Sequence, residues 1–542
     1  MKDIMSSITI DAVFFAQTHV LRPEDPFFKL VGEKDTLIKV HVLSTSEEKA
    51  PLVKAELKLE GETHRLALKG PDHLPKEICI EPGKVVHQYE DSFTATVPAR
   101  WIKRGLEVTI HAGDLSHEVR TIEIGPPLVL NNTMFDIHYF EYEDVDYPEG
   151  WEEEMAVRRP LTEFNVQRIR NVIFPELIIP PGTFPATRCT STDDYAEQNG
   201  SPFNGKQAAA LKWVEALHCA GGQTRLSAYF INIANVPAGG EAWALAGTGS
   251  LRRFPVLHHE YGHVLGLEDS PCEGTFPYIG DMHGHKKDGP GTFHGGPTWK
   301  FDPRVGFLSP LLSDNLERGN PGEYRKDPMG GGGITEERDE ALAYFSDYSV
   351  RKQQEYLEKD LTIYSEEKQE YVCWHHYLGG FEYIQENDGY LFPIERDVEV
   401  YSILFAVSAV TERGNFIYEL LGPYTSGLID TFDPNVEEDR KRARGLNVTL
   451  WDTRRARRIN APHWDVCLRV EQGGVTKTFM MPVEWNPNDD PLRMESLQTR
   501  ALNLPVRDGE IGKVEILLTP EASLNGIPDS PKVLYSRSFS DS

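Results

Sequence analysis

At 542 residues, 39% of them hydrophobic, the chain is long enough for two to four domains with sizeable cores. Its net charge of −28 makes nucleic acid and anionic membrane surfaces poor partners, because both select basic proteins. No apolar run of transmembrane length occurs, and the N-terminal MKDIMSSITIDAVFFAQTHV lacks the apolar core and small-residue cleavage site of a signal peptide.

The first 125 residues alternate apolar and polar side chains at strand length. ITIDAVFFAQTHV, DTLIKVHVLS, VKAELKLEG, THRLALKG, SFTATVPA, LEVTIHAG and HEVRTIEIG are separated by turn residues at the spacing of a β-sandwich. His19, His41 and His111 alternate with apolar neighbours there and read as structural. Gly125-Pro126-Pro127 marks a boundary, and PLVLNNTMFDIHYF begins a new domain as a strand. The acidic stretch EYEDVDYPEGWEEEM reads as a solvated loop opening a helix. A helix is expected near Leu161 to Asn171, then IFPELIIPPGTFP in extended form. NGKQAAALKWVEALHC is Ala-rich and stops before Gly221-Gly222, as a helix does. RLSAYFINIANV then reads as a buried strand. GGEAWALAGTGS is small enough either to border a cleft that admits a substrate backbone or simply to pack tightly.

Pro255 to Asp269 reads PVLHHEYGHVLGLED. His259 and His263 stand four apart, on one face of a helix, where both imidazoles can grip one metal ion. His258 is out of that register. Glu260 sits beside the first ligand, placed to take a proton from a water that the metal activates. Gly266 lets the chain leave the helix through a left-handed residue, so that Asp269 can return as a third ligand. The full pattern is H-E-x-x-H-x-x-G-x-x-D. The Gly/Pro-rich stretch that follows holds Asp281, His283, His285, Asp288 and His294. One of these histidines could replace Asp269, or the group could hold a second metal. Trp299 and Phe301 are candidates to line a cleft. Roughly sixty residues after the helix comes Lys326-Asp327-Pro328-Met329-Gly330, the kind of turn that places a methionine as an apolar floor beneath a metal site in metzincin proteases. FSDYSVRKQQEYLEKDL reads as a helix capped by Ser346 or Asp347. From Leu361 onward YVCWHHYLGGFEYI, DVEVYSILFAVSAV, NFIYELL, GLNVTLWDT, DVCLRVEQGG, VTKTFMMPVEW, LNLPVRDG and KVEILLTP are strand-like, with a locally basic stretch around residues 440–458. Cys79, Cys189, Cys219, Cys272, Cys373 and Cys467 include no C-x-x-C. A cysteine zinc site is therefore not expected. Cys189, Cys219 and Cys272 are the candidates for disulfides, with free buried thiols as the alternative.

Taken in order, four stretches resemble the secreted zinc metzincins of the StcE/dictomallein family. AVFFAQTHVLRPEDPFFKLVGEKDTLIKVHV and TVPARWIKRGLEVTI look like its N-terminal sandwich. His259, Glu260, His263 and Gly266 match its catalytic core. Asp327 to Gly331 with FSDYSVRKQQEYL match its methionine turn and closing helix, and IERDVEVYSILF matches a later segment. The resemblance implies a multidomain α+β chain: a β-sandwich over 1–125, a metzincin-type α/β zinc protease domain over 126–362 and a β-rich domain over 363–542. It implies Zn²⁺ as cofactor, protein or glycoprotein substrates including mucin-like O-glycoproteins, and an extracellular location. Two departures stand out. Most members carry histidine where this chain has Asp269, and a carboxylate is a harder ligand that shifts metal preference and water acidity. No signal peptide is visible.

The expected activity is a zinc endopeptidase with His259, His263 and Asp269 as ligands, Glu260 as general base and Met329 in the turn. The sequence offers no second oxyanion donor beyond the distant Tyr344 and Tyr348. Two alternatives stay open: an adhesin-like binding protein with a structural metal, and an effector protease delivered into cells to act on unglycosylated proteins. Glu260 separates the first from a protease, since a purely structural site has no use for it.

Overall fold

The computed structural model describes residues 8–46, 48–78, 86–145, 149–199, 206–222, 226–235, 239–251, 254–270, 272–280, 293–311, 324–330, 344–359, 361–375, 377–383, 392–445 and 464–539. The chain is multidomain and mostly β, with a few helices. It forms two compact units. The first comprises Met1–Leu130, Glu149–Asn165 and Tyr261–Glu382; the second comprises Asn131–Pro148, Val166–Glu260 and Tyr383–Ser542. No described helix is long and apolar enough to cross a membrane.

In the first unit the alternating segments make two four-stranded sheets. One runs Val20–Leu21, Ile8–Ala16, Thr36–Ser44, Phe93–Val97; the other runs Glu62–Ala67, Val53–Leu59, Glu107–Ala112, Leu115–Val119. Every second side chain turns inward, because the strand period is two. Ile38, Val40 and Val42 thereby meet Val53, Ala55, Leu57, Val108 and Ile110 in one apolar core. The opposite face of Thr36–Ser44 is also buried, and it carries Lys39 and His41. Lys39 Nζ lies 3.0 Å from His41 Nε2 and 3.7 Å from Asp91. Phe14 and His87 pack on the His41 ring, and Trp299 and Phe307 on that of His87. Burial, reinforced by the Lys39 charge, pushes both imidazoles down to about 3. His19 is likewise buried, its Nε2 donating to Phe345 O at 3.1 Å. The structural reading of His19 and His41 therefore holds. Phe301 is buried with Ala12, Phe14, Val20 and Leu37, and Trp299 packs against the same cluster. Phe301 is thus a core residue and does not line a cleft, a contact with distant strands that local sequence does not reveal.

The second unit contains a five-stranded sheet in the order Glu163–Phe174, Val129–Tyr139, Ser227–Ile233, Ala246–Gly249, Gly240–Trp243. The middle three strands are parallel, and Gly240–Trp243 is an antiparallel edge. Its two-residue link, Ala244-Leu245, takes φ of 39° and 69°, the mirror-image turn that matches strand twist in a tight hairpin. The helix expected near Leu161 to Asn171 is instead the strand Glu163–Phe174. Its β-branched Val166, Ile169, Val172 and Ile173 favour extended backbone. Arg168 also donates to the buried Asp136 of the neighbouring strand at 2.7 Å, a bond that only the strand register supplies. Asp136 accepts from Asn232 Nδ2 at 2.8 Å, and Asn232 Oδ1 accepts from Leu251 N at 2.9 Å. The expected Ala-rich helix is Lys206–Ala220, and its Trp213 packs on Tyr139, Phe174 and Tyr418. C-terminal strands Glu395–Val407, Gln498–Pro505, Val466–Gln472 and Ile511–Leu518 share an apolar core of Ile403, Phe405, Val466, Leu468, Leu502, Val514 and Ile516. The expected strand GLNVTLWDT and most of the basic stretch lie outside the described residues.

Among the described residues, Cys189, Cys219, Cys272, Cys373 and Cys467 are not joined in disulfides, so the disulfides considered among the first three do not form; Cys79 lies outside the described residues.

Two outcomes test this packing. Trp213→Ala removes a fully buried ring and is expected to cost about 3–5 kcal/mol, read as a lowered denaturant midpoint for the second unit. The imidazoles of His41 and His87 take a proton near 6.5 when unfolded and only near 3 when folded. The unfolded state binds more protons between those values, so the stability of the first unit falls as pH drops through that window. His87→Phe is expected to flatten this acid limb in pH-dependent thermal melts. A slope unchanged by the substitution would show that His87 does not contribute.

Candidate metal centre

Phe254–Val264 is one continuous helix. His259 and His263 lie one turn apart and are half-buried, whereas His258 is fully buried. The helix closes with two bonds: Gly266 N–H donates to His263 O and Leu267 N–H to Gly262 O, both at 2.9 Å. These are the paired bonds of a Schellman motif, which requires a left-handed residue at its centre. Gly266 supplies it with φ 81°. A Cβ there would also lie 2.3 Å from the Tyr356 ring.

The reversed chain brings back two groups. Leu267 O lies 2.8 Å from His263 Nδ1. A carbonyl oxygen can only accept, so Nδ1 carries the proton and Nε2 is left with its lone pair. Asp269 follows, with Oδ1 3.7 Å from His263 Nε2. One ligand atom each from His259, His263 and Asp269 lie within 4.8 Å of one another. Two donors on a tetrahedral zinc, each about 2.0–2.1 Å from it, are separated by roughly 3.4 Å. An imidazole lone pair opposite a carboxylate oxygen at nearly that spacing is the arrangement a cation between them satisfies. Two nitrogens and one oxygen are also donors that zinc accepts. The residues present therefore fit such an ion.

Glu260 is 5% exposed. A Cβ on Gly240 would lie 2.3 Å from Glu260 Cγ and 2.6 Å from Oε1, and one on Gly249 would lie 3.5 Å from Cγ. Gly240 of the edge hairpin therefore makes room for this carboxylate, whereas a Cβ on Gly249 would make ordinary contact with it. That settles part of the composition of GGEAWALAGTGS: a side chain at Gly240 and Glu260 cannot occupy the same space.

Within the first unit, the methionine turn packs against the helix at Gly262. Gly330 N–H donates to Asp327 O at 2.9 Å, and Met329 N–H to Asp327 Oδ1 at 2.9 Å. Asp at the first position and Pro at the second favour this turn. Met329 is buried with Leu267, Phe345 and Val350. Its Sδ would lie 2.3 Å from a Cβ on Gly262, so the residue between Tyr261 and His263 has to be glycine for the sulfur to seat. The helix Asp347–Glu358 follows, with Ser346 as its cap accepting from Ser349 N.

The other sequence candidates are engaged elsewhere. His294 is buried and stacked on Tyr324; its Nε2 donates to Gly280 O at 2.9 Å and its Nδ1 accepts from Gly296 N at 3.2 Å. Both nitrogens are committed to backbone, so His294 is no substitute ligand. His283 and His285, with Asp281 and Asp288, lie outside the described residues. The Tyr344 hydroxyl donates to Asp302 at 3.0 Å, and that of Tyr348 pairs with Thr275 Oγ1 at 2.6 Å. Neither is available as an oxyanion donor. Sequence reasoning missed Gly240 and Gly262 as parts of the site; the available signal was glycine at strand or helical positions where a larger residue would be cheaper.

The profile of the Peptidase M66 family matches residues 83–362. The chain is 24% identical to "Dictomallein" of Burkholderia mallei (strain SAVP1), an alignment covering 98% of this chain and 83% of that protein. It is 24% identical to "Dictomallein" of Burkholderia pseudomallei (strain 668), with the same coverage. To "Dictomallein-2" of Dictyostelium discoideum it is 23% identical, covering 98% of this chain and 96% of that one.

Gly262→Ala forces the new methyl against Met329 Sδ and is expected to destabilise by about 1–3 kcal/mol through overpacking. Met329→Ala costs stability by leaving a void. The double variant should cost less than the sum of the two, a coupling of about 1 kcal/mol or more in a double-mutant cycle. Strict additivity would mean that the two residues do not touch.

Proposed function

The chain belongs to the Peptidase M66 family and is a peptidase; on that premise we propose that it is a zinc endopeptidase acting at His259, Glu260, His263 and Asp269. The observation that carries the reading is the return of Asp269 to His263 through the Gly266 turn, with the buried Glu260 one residue from His259. His259, His263 and Asp269 would hold the ion. Zinc in such a site supplies Lewis acidity, acidifying a water and polarising a carbonyl oxygen.

The chain's own groups do the rest. The Leu267 carbonyl holds His263 in the tautomer whose Nε2 faces Asp269, and this outer bond fixes the ring's orientation. Glu260 is no ligand in this set. Its carboxylate is the base that takes the proton of the attacking water and returns it to the departing amine. The absence of a side chain at Gly240 leaves the space that this carboxylate occupies. Met329 supplies an apolar surface behind the helix, so the ligand segment is supported by packing. Following the family resemblance, the proposed substrates are secreted or cell-surface proteins, with densely O-glycosylated, mucin-like ones as the preferred class.

Glu260→Gln keeps the shape and removes the base. It is expected to bind zinc with unchanged stoichiometry while kcat/KM falls about 10²- to 10⁴-fold. Asp269→Ala is expected to lose zinc and activity together. The assay is metal analysis alongside digestion of a mucin and of an unglycosylated protein, with and without chelator. Cleavage by Glu260→Gln at the wild-type rate would falsify the mechanism. Equal cleavage of both substrates would remove the mucin preference and leave the peptidase.

A further inference from the structure

Met329 touches the chain beside each of the proposed ligands of the turn region. Its Sδ packs on Gly262, next to His263. Its carbonyl accepts from Ser270 N at 2.8 Å, next to Asp269. Leu267, between those two ligands, shares its apolar cluster. What holds Met329 is Asp327. Asp327 Oδ1 accepts from Met329 N at 2.9 Å, while Oδ2 accepts from Ser346 N at 2.8 Å and from Ser349 Oγ at 2.9 Å. Asp327, Met329, Ser346 and Ser349 are all buried to within 2% exposure. One carboxylate thus ties the methionine turn to the capped start of the helix Asp347–Glu358.

We propose that Asp327 is a positioning residue of the metal centre, locking Met329 against Gly262 and Ser270 so that His263 and Asp269 keep their spacing. The inference rests on the reading that these residues hold zinc. A buried carboxylate is costly unless its oxygens are served; burial pushes this one up from the usual carboxylate range, and the three donors offset part of that cost. Neutral alternatives fail on geometry. Asn has one acceptor oxygen, and its amide would turn N–H groups toward Met329 N or toward Ser346 N, donor facing donor. Glu adds a methylene that the tight Asp327-to-Met329 turn cannot absorb. Because Asp327 itself touches no ligand, its removal should alter the metal and leave the ligand set intact, as loss of an outer-sphere partner does.

The test uses the full chain, loaded with zinc and separately with cobalt(II), and compares wild type, Asp327→Asn, Ser349→Ala and His263→Ala. Asp327→Asn is expected to weaken zinc by up to about 10-fold in a chelator competition, less than the loss of a group bonded directly to a ligand. It should also shift the visible d–d bands of the fully cobalt-loaded, folded protein. A merely structural role would lower the melting temperature and leave those bands where they are. Ser349→Ala removes one donor from Oδ2 and keeps the question open to measurement should Asp327→Asn fail to fold. It is expected to weaken zinc about two- to fivefold, on the scale of a partial outer-sphere loss. Wild-type bands and affinity in either folded variant would overturn the role of Asp327 while leaving the zinc reading standing. Wild-type protein that binds no zinc, or zinc binding that survives His263→Ala, would overturn both.

Discussion

One residue without a side chain governs the centre of this molecule. Gly266 sits at φ 81° with the Tyr356 ring pressed where a Cβ would be. L-residues pay for that conformation and could not fit the ring. Because the turn is possible, the helix can stop with its last carbonyls bonded. Because it stops there, Leu267 O reaches His263 Nδ1 and Asp269 faces His263 Nε2. The end of the helix, the tautomer of an imidazole and the approach of a carboxylate all follow from one backbone conformation.

The same economy of space recurs around the helix. Gly262 accommodates the Met329 sulfur, and Gly240 accommodates the Glu260 carboxylate. Glycine is the poorest ordinary residue for a helix interior or a strand, by about 1 kcal/mol relative to alanine. Its presence at these positions is therefore explained by what lies against it. Several polar groups near the centre are satisfied within the protein: His294 by the backbone of Gly280 and Gly296, Met329 N by the Asp327 carboxylate, and Ser270 N by Met329 O. Buried polar groups served in this way hold one arrangement in preference to others.

Much of this was legible in the chain. The i, i+4 histidines need only the helical period, and the strands of the first 125 residues need only alternation, so both could be read locally. A cap at Ser346 or Asp347 was legible for the same reason, and the structure selects Ser346. The strand Glu163–Phe174 was legible only in part. Its β-branched residues were a local signal that was passed over, while its contact of Arg168 with Asp136 lies more than thirty positions away. Phe301, Tyr344 and Tyr348 were misjudged alike, because their partners Phe14, Asp302 and Thr275 are brought by the fold and not by spacing.

By itself, then, the sequence determined the chemistry on offer: which imidazoles share a face, which glycine ends the helix, and which acidic residue comes next in reach. These depend on interactions within one or two turns, where covalent geometry leaves few choices. The tertiary structure decided which offers were taken up. It committed both nitrogens of His294 to backbone, seated Met329 against Gly262, and set Gly240 against Glu260, because packing brings together atoms whose separation along the chain carries no information about their distance in space.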